Sequence, residues 1–171
     1  MPDAHRSSSR AGLAYHRAMS PALDPELTEL IRKTFEEWIP FNKVLGLSIK
    51  DVTSERTTAT LEMKPDLVGN PVKGVLHGGV ISATLDAVGG IAALAAVFGR
   101  EDLDMPAKAA TLKRLGTIDM RVDYLRPGAG QRFEATAYAM RTGNTVAVTR
   151  MEFHGDDGEL LAVGTGTYII G

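Results

Sequence analysis

The sequence contains no cysteine, carries little net charge and is poor in aromatic residues. Without cysteine, disulfides, zinc–thiolate sites, iron–sulfur clusters and cysteine nucleophiles are excluded, and a reducing, cytoplasmic environment is expected. The formal net charge of −2 gives no electrostatic footprint for nucleic acid or for an anionic membrane surface. A chain of 171 residues, 44% hydrophobic and 6% aromatic, is long enough for one domain with a core and short for two.

Long uninterrupted apolar runs are also missing. The longest apolar stretch, residues 79–98, is broken by Asp86, hydroxyl side chains and glycines, whereas a bilayer helix needs roughly 20 mostly apolar residues. No membrane span is therefore predicted. The N-terminal residues are basic and serine-rich but lack the apolar stretch of a secretory signal. We predict a mobile tail over residues 1–20 and a single domain over residues 21–171; a transit peptide at the N-terminus stays an open alternative.

Hydrophobic periodicity predicts two helices. The first begins at Pro25 with Asp24 as its N-cap and ends before Pro40. The second, at about residues 77–98, is apolar on nearly every side and is therefore expected to be buried. Strands are predicted at 44–52, 56–63, 117–125, 132–142, 145–154 and 159–170, a loop at 65–74 and an exposed excursion at 100–114. Because strands and helices are segregated, we expect an α+β fold with an antiparallel sheet curled around the buried helix.

Asp86 is the carboxylate in the middle of the apolar helix. Burial of an ionised carboxylate is costly unless the group is paired or has a task. Its helical neighbours Ala83, Gly89 and Gly90 are small, which leaves room for a substrate or another chain, and Ser82 is placed one turn away to hydrogen-bond it. We favour a functional carboxylate over one that is merely satisfied across an interface.

A glycine pair, Gly78 and Gly79, opens the same helix. The first N–H groups of a helix lack partners and favour negative charge, so the pair is a candidate oxyanion site. A simple tight turn explains the two glycines equally well, and both interpretations stay open. We interpret the preceding His77 as shaping this turn, or orienting Asp86, rather than as a general base. A metal site is not predicted, because the other histidines lack ligand spacing.

Several motifs together resemble one protein family. A His-Gly-Gly motif begins at His77 and is followed nine positions later by Asp86, a pattern that resembles the phenylacetyl-CoA-thioesterase-like branch of hotdog proteins. Residues 117–127 are similar to that family's strand ending in Tyr-Leu-Arg-Pro, and residues 164–168 to its last strand. The resemblance covers roughly residues 40–170 and is greatest with a bacterial YigI-like subgroup. It implies a hotdog fold that hydrolyses medium- to long-chain or aryl acyl-CoA to free acid and CoA without a cofactor.

The resemblance also implies a role for individual residues. Asp86 matches the carboxylate that activates the attacking water or attacks directly, and Gly78 the N–H that polarises the thioester carbonyl. His77 matches the histidine that holds this loop. Thr117 matches a residue that positions the water, and Asp86 and Thr117 are expected to meet across a subunit boundary, so that the site requires a homo-oligomer, a dimer or a dimer of dimers. Relatives carry an Asn six residues before the His; Asn70 lies seven before, and its equivalence stays open.

Contacts with the substrate are predicted at four further positions: Gly79, Asn70, Ser82 and Arg126. Arg126 suits a phosphate of CoA because a guanidinium is forked, although an ordinary surface arginine is the default interpretation, as it is for Arg121, Lys113 and Arg114. Along the strand at 117–125, alternation predicts one apolar face toward the buried helix and one charged outer face. The apolar face comprises Ile118, Met120, Val122 and Tyr124; the outer face comprises Thr117, Asp119, Arg121 and Asp123.

Two other functions remain as alternatives to a thioesterase. A hotdog hydratase or dehydratase would use His77 with Asp86 as a proton shuttle, but the glycine pair fits the thioesterase branch better. A non-catalytic acyl-CoA-binding sensor would normally carry a DNA-binding segment. Residues 1–39 offer neither a helix-turn-helix pattern nor a strong basic patch.

Overall fold

The computed structural model describes residues 22–171, so the mobile tail predicted at residues 1–20 lies outside the described residues. The division into tail and single domain stays a prediction. The helical elements are α1 (Pro25–Arg32), a π-helical segment (Lys33–Trp38), α2 (Pro40–Leu45), a 3₁₀ turn (Pro65–Leu67), α3 (Gly78–Phe98) and α4 (Met105–Arg114). The strands are β1 (Ser48–Val52), β2 (Thr57–Glu62), β3 (Val68–Asn70), β4 (Val75–Leu76), β5 (Gly116–Tyr124), β6 (Arg132–Thr142), β7 (Val146–Gly155) and β8 (Leu160–Ile169).

Six strands form an antiparallel sheet in the order β1-β2-β6-β7-β8-β5. Strands β3 and β4 pair separately as a small hairpin. In this order β5 is an edge strand, with β8 on one side and no neighbour among the described residues on the other. The α+β class with an antiparallel sheet, predicted from the segregation of strands and helices, is confirmed.

Helix α3 lies against the inner face of the sheet and forms the centre of the core. Its residues Leu85, Val88 and Ile91 are fully buried, as expected for a helix that is apolar all round. Among the described residues it is also the one helix long and apolar enough to cross a membrane by length and composition. Because 72% of its most apolar window is buried inside the protein, we interpret it as a core helix, in agreement with the sequence.

The N-terminal helices pack on the far part of α3. Asp24 caps α1 by accepting a hydrogen bond from the Glu26 N–H at 2.8 Å, which confirms the predicted cap. Pro40 ends the first helical stretch as expected, but it also begins α2, since proline is well tolerated at a first helical position. The strand predicted from residue 44 therefore starts later: Gly46, at φ 77°, ends α2 before β1 begins.

Two other segments differ from the prediction. The loop expected at 65–74 contains the 3₁₀ turn and β3, and β3 pairs with β4 just beyond the loop. The exposed excursion expected at 100–114 contains α4, whose N-terminus is capped by Asp104 through the Ala107 N–H at 2.9 Å. Its apolar periodicity is weak, but Asp104 followed by Pro106 is a helix-start signal.

Candidate active site

The Asp86 carboxylate is half-buried on α3 and held by two hydroxyl groups. The Thr117 hydroxyl donates a hydrogen bond to Asp86 Oδ1 at 2.7 Å. The Tyr168 hydroxyl lies 3.3 Å from the same Oδ1 and 3.1 Å from the Asp86 backbone carbonyl oxygen. Among residues 22–171 no basic side chain pairs with Asp86, and its Oδ2 has no hydrogen-bond partner. One carboxylate oxygen is thus fixed and the other is free to face a ligand.

Thr117 reaches Asp86 within a single chain, which corrects the expectation that the two meet across a subunit boundary. The reason is a β-bulge in β5, where the pairing with β8 shifts between Thr117 and Asp119. The bulge turns Thr117 toward α3 instead of outward, and leaves Ile118 58% exposed instead of facing the helix. After the bulge, Met120 and Val122 pack against the core as predicted.

Tyr168, on β8, is a site residue that the sequence analysis had noted only as part of a strand motif. Its side chain is buried. Burial, together with the negative charge of Asp86 and the hydrogen bond to it, raises the pKa of Tyr168 far above its ordinary value. The phenol therefore stays protonated and serves as a donor to Asp86. A buried tyrosine needs a partner for its hydroxyl, which is the signal by which a pairing with the buried helix could have been anticipated.

At the start of α3, His77 is the N-cap and its Nδ1 accepts a hydrogen bond from the Gly79 N–H at 2.8 Å. The His77 carbonyl oxygen accepts from the Val80 N–H at 2.9 Å. For the Gly78 N–H no acceptor is found in the described part of the chain. His77 therefore shapes the turn, the role that we favoured, and makes no hydrogen bond to Asp86 of its own chain. Of the glycine pair, Gly78 presents a free N–H and Gly79 does not.

Tyr124, at the end of β5, fixes the same turn from the other side. Its hydroxyl donates to the Gly78 carbonyl oxygen at 3.0 Å. A Cβ placed on Gly78 would lie 3.5 Å from the Tyr124 ring, which is ordinary van der Waals contact. Tyr124 was predicted to face the helix, but its link to the glycine pair was not anticipated.

A cavity of about 320 Å³ opens beside Asp86 and Thr117. The small residues Ala83 and Gly90 line it, so the room predicted around Asp86 is confirmed at these two positions. Gly89 does not line the cavity, and a Cβ at that position would clash with the Tyr168 hydroxyl. The remaining wall comes from the π-helical segment, Ile39 and α2 on one side, and from Leu112, Leu115, Gly116 and Tyr168.

Comparison with known proteins identifies the family. Residues 73–162 match the family model of the thioesterase superfamily. The chain is 39% identical to the medium/long-chain acyl-CoA thioesterase YigI of Escherichia coli over 155 residues, which is 90% of this chain and 100% of that protein.

The chain belongs to the thioesterase superfamily.

Solved structures of this superfamily share the fold. A Shewanella oneidensis protein related to the thioesterase superfamily is 43% identical and superposes with a TM-score of 0.80, covering 86% of this chain and 99% of that one. A thioesterase family protein from Silicibacter pomeroyi is 25% identical, with a TM-score of 0.67 and coverage of 85% and 99%. The sheet wrapped around α3 is thus the superfamily's hotdog fold, as the resemblance implied.

The other residues predicted to contact the substrate of this thioesterase-superfamily protein make local hydrogen bonds. The Ser82 hydroxyl donates to the Gly79 carbonyl oxygen at 3.1 Å and does not reach Asp86. The Asn70 side-chain oxygen accepts from the backbone N–H groups of Val72 and Lys73, both at 3.1 Å, and so closes its own loop.

Arg126 is held at the protein surface. Its Nε lies 2.6 Å from a carboxylate oxygen of Glu159, and its guanidinium donates to the Leu160 carbonyl oxygen at 3.3 Å. Arg121 is likewise paired, with Asp123 at 3.0 Å. No group of His, Asp or Glu side chains that could hold a metal is found among residues 22–171.

Proposed function

We propose that the protein hydrolyses medium- to long-chain acyl-CoA thioesters, with Asp86 activating the water and the Gly78 N–H of a second subunit binding the carbonyl oxygen. The observation that carries this proposal is the hydrogen bonding of the Asp86 carboxylate in the apolar helix. One carboxylate oxygen is fixed by Thr117 and Tyr168, while the other is free beside a cavity. The substrate class follows the named activity of the Escherichia coli relative.

The chemistry needs no cofactor. Asp86 Oδ2 accepts a proton from water as the water oxygen attacks the thioester carbonyl carbon. The Gly78 N–H donates to the developing oxyanion, and collapse of the tetrahedral intermediate breaks the C–S bond. The proton held by Asp86 passes to the leaving thiolate, which gives a free acid and CoA. The Thr117 hydroxyl donates its hydrogen to Asp86, so its oxygen lone pairs can accept a hydrogen bond from the water.

The separation between Asp86 and Gly78 along α3 favours a site that is shared between two subunits. Asp86 lies eight residues after Gly78, which is about 12 Å along a helix axis. A reacting carbon must approach its nucleophile to roughly 3–3.5 Å, and its oxygen must lie roughly 2.7–3.1 Å from the donor. Within one chain, a single water and a single carbonyl group would have to bridge nearly this whole separation. We therefore propose that the Gly78 N–H at each site comes from the partner subunit.

The edge strand β5 supplies a way to bring the two halves together. It is nine residues long, and the exposed Ile118 and Leu125 lie on and just beyond it, so it is a template for pairing with a second copy. Thr117 at one end binds Asp86, and Tyr124 near the other binds Gly78. Antiparallel pairing of two β5 strands about a two-fold axis near Arg121 would bring Thr117 close to the partner's Tyr124, and Asp86 close to the partner's Gly78.

The hydratase alternative is disfavoured by His77. Because Nδ1 accepts a hydrogen bond from the Gly79 N–H, a neutral His77 carries its proton on Nε2 and has no free lone pair with which to act as a base.

We further propose that the enzyme works in fatty acid metabolism in the cytoplasm, as a homodimer or a dimer of dimers such as a homotetramer. Support comes from the lack of cysteine and from the relative's substrate.

The test is thiol release from a series of acyl-CoAs by the wild type, Asp86→Asn and Asp86→Ala. Wild type should release thiol, and both variants should lose at least about 100-fold in kcat, within the usual contribution of a general base. Circular dichroism and size-exclusion chromatography check that the variants stay folded and oligomeric. A wild type that binds acyl-CoA without releasing thiol would instead establish the sensor function.

A further inference from the structure

We propose that the acyl chain of the substrate runs from Asp86 along α3 into the adjoining cavity, and that Gly90 and Leu112 set the chain length that the enzyme accepts. This inference rests on the proposed thioesterase function, because it concerns the acyl group bound at the same carboxylate. The expected substrate class is an unbranched aliphatic acyl group of medium length.

The cavity follows one stripe of α3. Its lining includes Ala83, Asp86, Ala87 and Gly90, and residues spaced by three and four lie on the same face of a helix. Gly90 is one turn beyond Asp86, or about 6 Å along the axis. A chain that starts at a carbonyl group held beside Asp86 and turns into the cavity therefore reaches Gly90 only beyond its first few carbon atoms.

The cavity wall is apolar away from the Asp86 end. In that part of the wall the polar residues are Thr34 and Asn42, and both are already hydrogen-bonded to the backbone. The Thr34 hydroxyl donates to the Leu30 carbonyl oxygen at 2.7 Å, and the Asn42 amide donates to the Phe35 carbonyl oxygen at 3.0 Å. The remaining wall is formed by the side chains of Phe35, Ile39, Phe41, Leu112 and Leu115. Such a wall matches an aliphatic chain, and the volume of about 320 Å³ lies near the lower end of ligand pockets, roughly 300–1,000 Å³.

Gly90 is not required by the packing of the protein. A Cβ there would lie 3.6 Å from the Tyr168 ring and 3.8 Å from a Leu115 methyl group, which are ordinary contacts. Its neighbour Gly89 differs, because a Cβ there would clash with the buried Tyr168 hydroxyl. Since glycine weakens the middle of a helix, Gly90 leaves open a space that the protein's own packing does not explain. An acyl chain in the cavity would use that space.

Leu112, on α4, contributes a part of the cavity wall that can be changed by substitution. It is partly buried against the core cluster of the N-terminal helices, together with Leu115 and Ile39. The facing wall begins in the π-helical segment Lys33–Trp38, and short π-helical turns are frequent at functional sites. Shortening Leu112 would therefore enlarge the cavity at a residue that makes no hydrogen bond to Asp86 or Thr117.

The test compares kcat/KM for butanoyl-, octanoyl-, dodecanoyl- and hexadecanoyl-CoA in wild type, Gly90→Val and Leu112→Ala. Gly90→Val should lower the ratio of octanoyl-CoA to butanoyl-CoA turnover by about 10-fold or more, the size of effect that single methylene groups have in apolar pockets. Leu112→Ala should move the preferred chain length upward. Ala96→Val adds side-chain volume on the same helix outside the cavity and should leave the profile unchanged.

The outcomes separate this inference from the thioesterase function. If wild type hydrolyses acyl-CoA but Gly90→Val slows every chain length equally, or matches Ala96→Val, the acyl chain does not occupy this cavity and the thioesterase function stands. If wild type hydrolyses no thioester, both proposals fail. Thermal unfolding shows whether each variant is folded, and Gly90→Val alone decides the question if Leu112→Ala does not fold.

Discussion

Asp86 shows how an apolar helix keeps a carboxylate available for chemistry. A buried charge without partners would be costly, but two hydroxyl groups bind its Oδ1, and the carboxylate stays half-buried beside a cavity. Neither partner is a cation, so the negative charge is solvated without being neutralised. Because the Tyr168 hydroxyl is bonded to Asp86, we propose that this hydroxyl positions the carboxylate.

Tyr168→Phe should lower kcat by roughly 10-fold to 100-fold and leave KM almost unchanged. A hydrogen bond to a charged group is worth about 1.5–3 kcal/mol, and each 1.36 kcal/mol of activation energy changes a rate by about tenfold. Steady-state kinetics on one acyl-CoA measures both constants. Tyr138→Phe, at a tyrosine that is 47% exposed, is the matched control. A loss shared equally by the two variants, or confined to KM, would contradict the positioning role.

The residues of the site differed in how far the sequence could identify them. Asp86 was identifiable because a lone carboxylate in an apolar helix demands an explanation. Its partners were not: Tyr168 is 82 positions away, and Thr117 turns inward through a bulge that strict alternation along a strand cannot reveal. The different roles of Gly78 and Gly79 depend on which N–H donates to the His77 side chain. The sequence does not reveal this, because it depends on the conformation of the turn.

At the level of elements, α3 combines two adjacent glycines that serve different purposes. Gly89 lets the Tyr168 hydroxyl approach the helix backbone, and Gly90 borders the cavity. The sequence presents the two as equivalent small residues. In the structure the first is a packing requirement and the second is an opening.

Gly89→Ala should therefore lower the free energy of unfolding, whereas Gly90→Ala should raise it. Gly89→Ala forces a Cβ against a buried, hydrogen-bonded hydroxyl, and overpacking of this kind costs about 1–3 kcal/mol. Gly90→Ala meets no clash and should raise the free energy of unfolding by about 0.5–1 kcal/mol, the usual gain of alanine over glycine within a helix. Chemical denaturation of both variants measures the difference. Equal destabilisation would show that Gly90 is also a packing residue.

The elements themselves were predictable where the pattern was strong. The long central helix and β6 at residues 132–142 were found at or near their observed bounds, because continuous burial and alternation leave clear signals. The helix α4 was missed, since its polar, alanine-rich surface has little periodicity. The hairpin of β3 and β4 was missed because its strands are two and three residues long.

For the whole molecule, the two halves of the proposed site lie at opposite ends of β5. One end carries Thr117 with Asp86 and the other Tyr124 with Gly78. In a two-fold dimer, each surface patch meets its own copy, so antiparallel pairing of these edges would create two complete sites from four half-sites. The family resemblance implied an oligomer with the boundary between Asp86 and Thr117, but these two residues meet within one chain. The boundary that we propose lies between Asp86 and Gly78.

Subunit complementation tests this arrangement, with Gly78→Pro as the decisive variant. Gly78 is the first helical residue after the His77 cap, where proline is well tolerated, so the substitution removes the N–H while preserving the helix. Gly78→Ala keeps the N–H and adds a Cβ that fits beside Tyr124. We expect Gly78→Pro to be inactive and Gly78→Ala to be largely active in thiol release.

Mixed after dissociation and reassembly, Gly78→Pro and Asp86→Asn subunits should recover about a quarter of wild-type activity. Random pairing makes about half of the dimers mixed, and each mixed dimer has one intact site of two. Wild-type Asp86 on the first chain then works with the intact Gly78 N–H on the second. If each site were built within one chain, mixing two inactive variants would restore nothing. Recovery therefore distinguishes a shared site from a self-contained one, independently of which acyl-CoA is used.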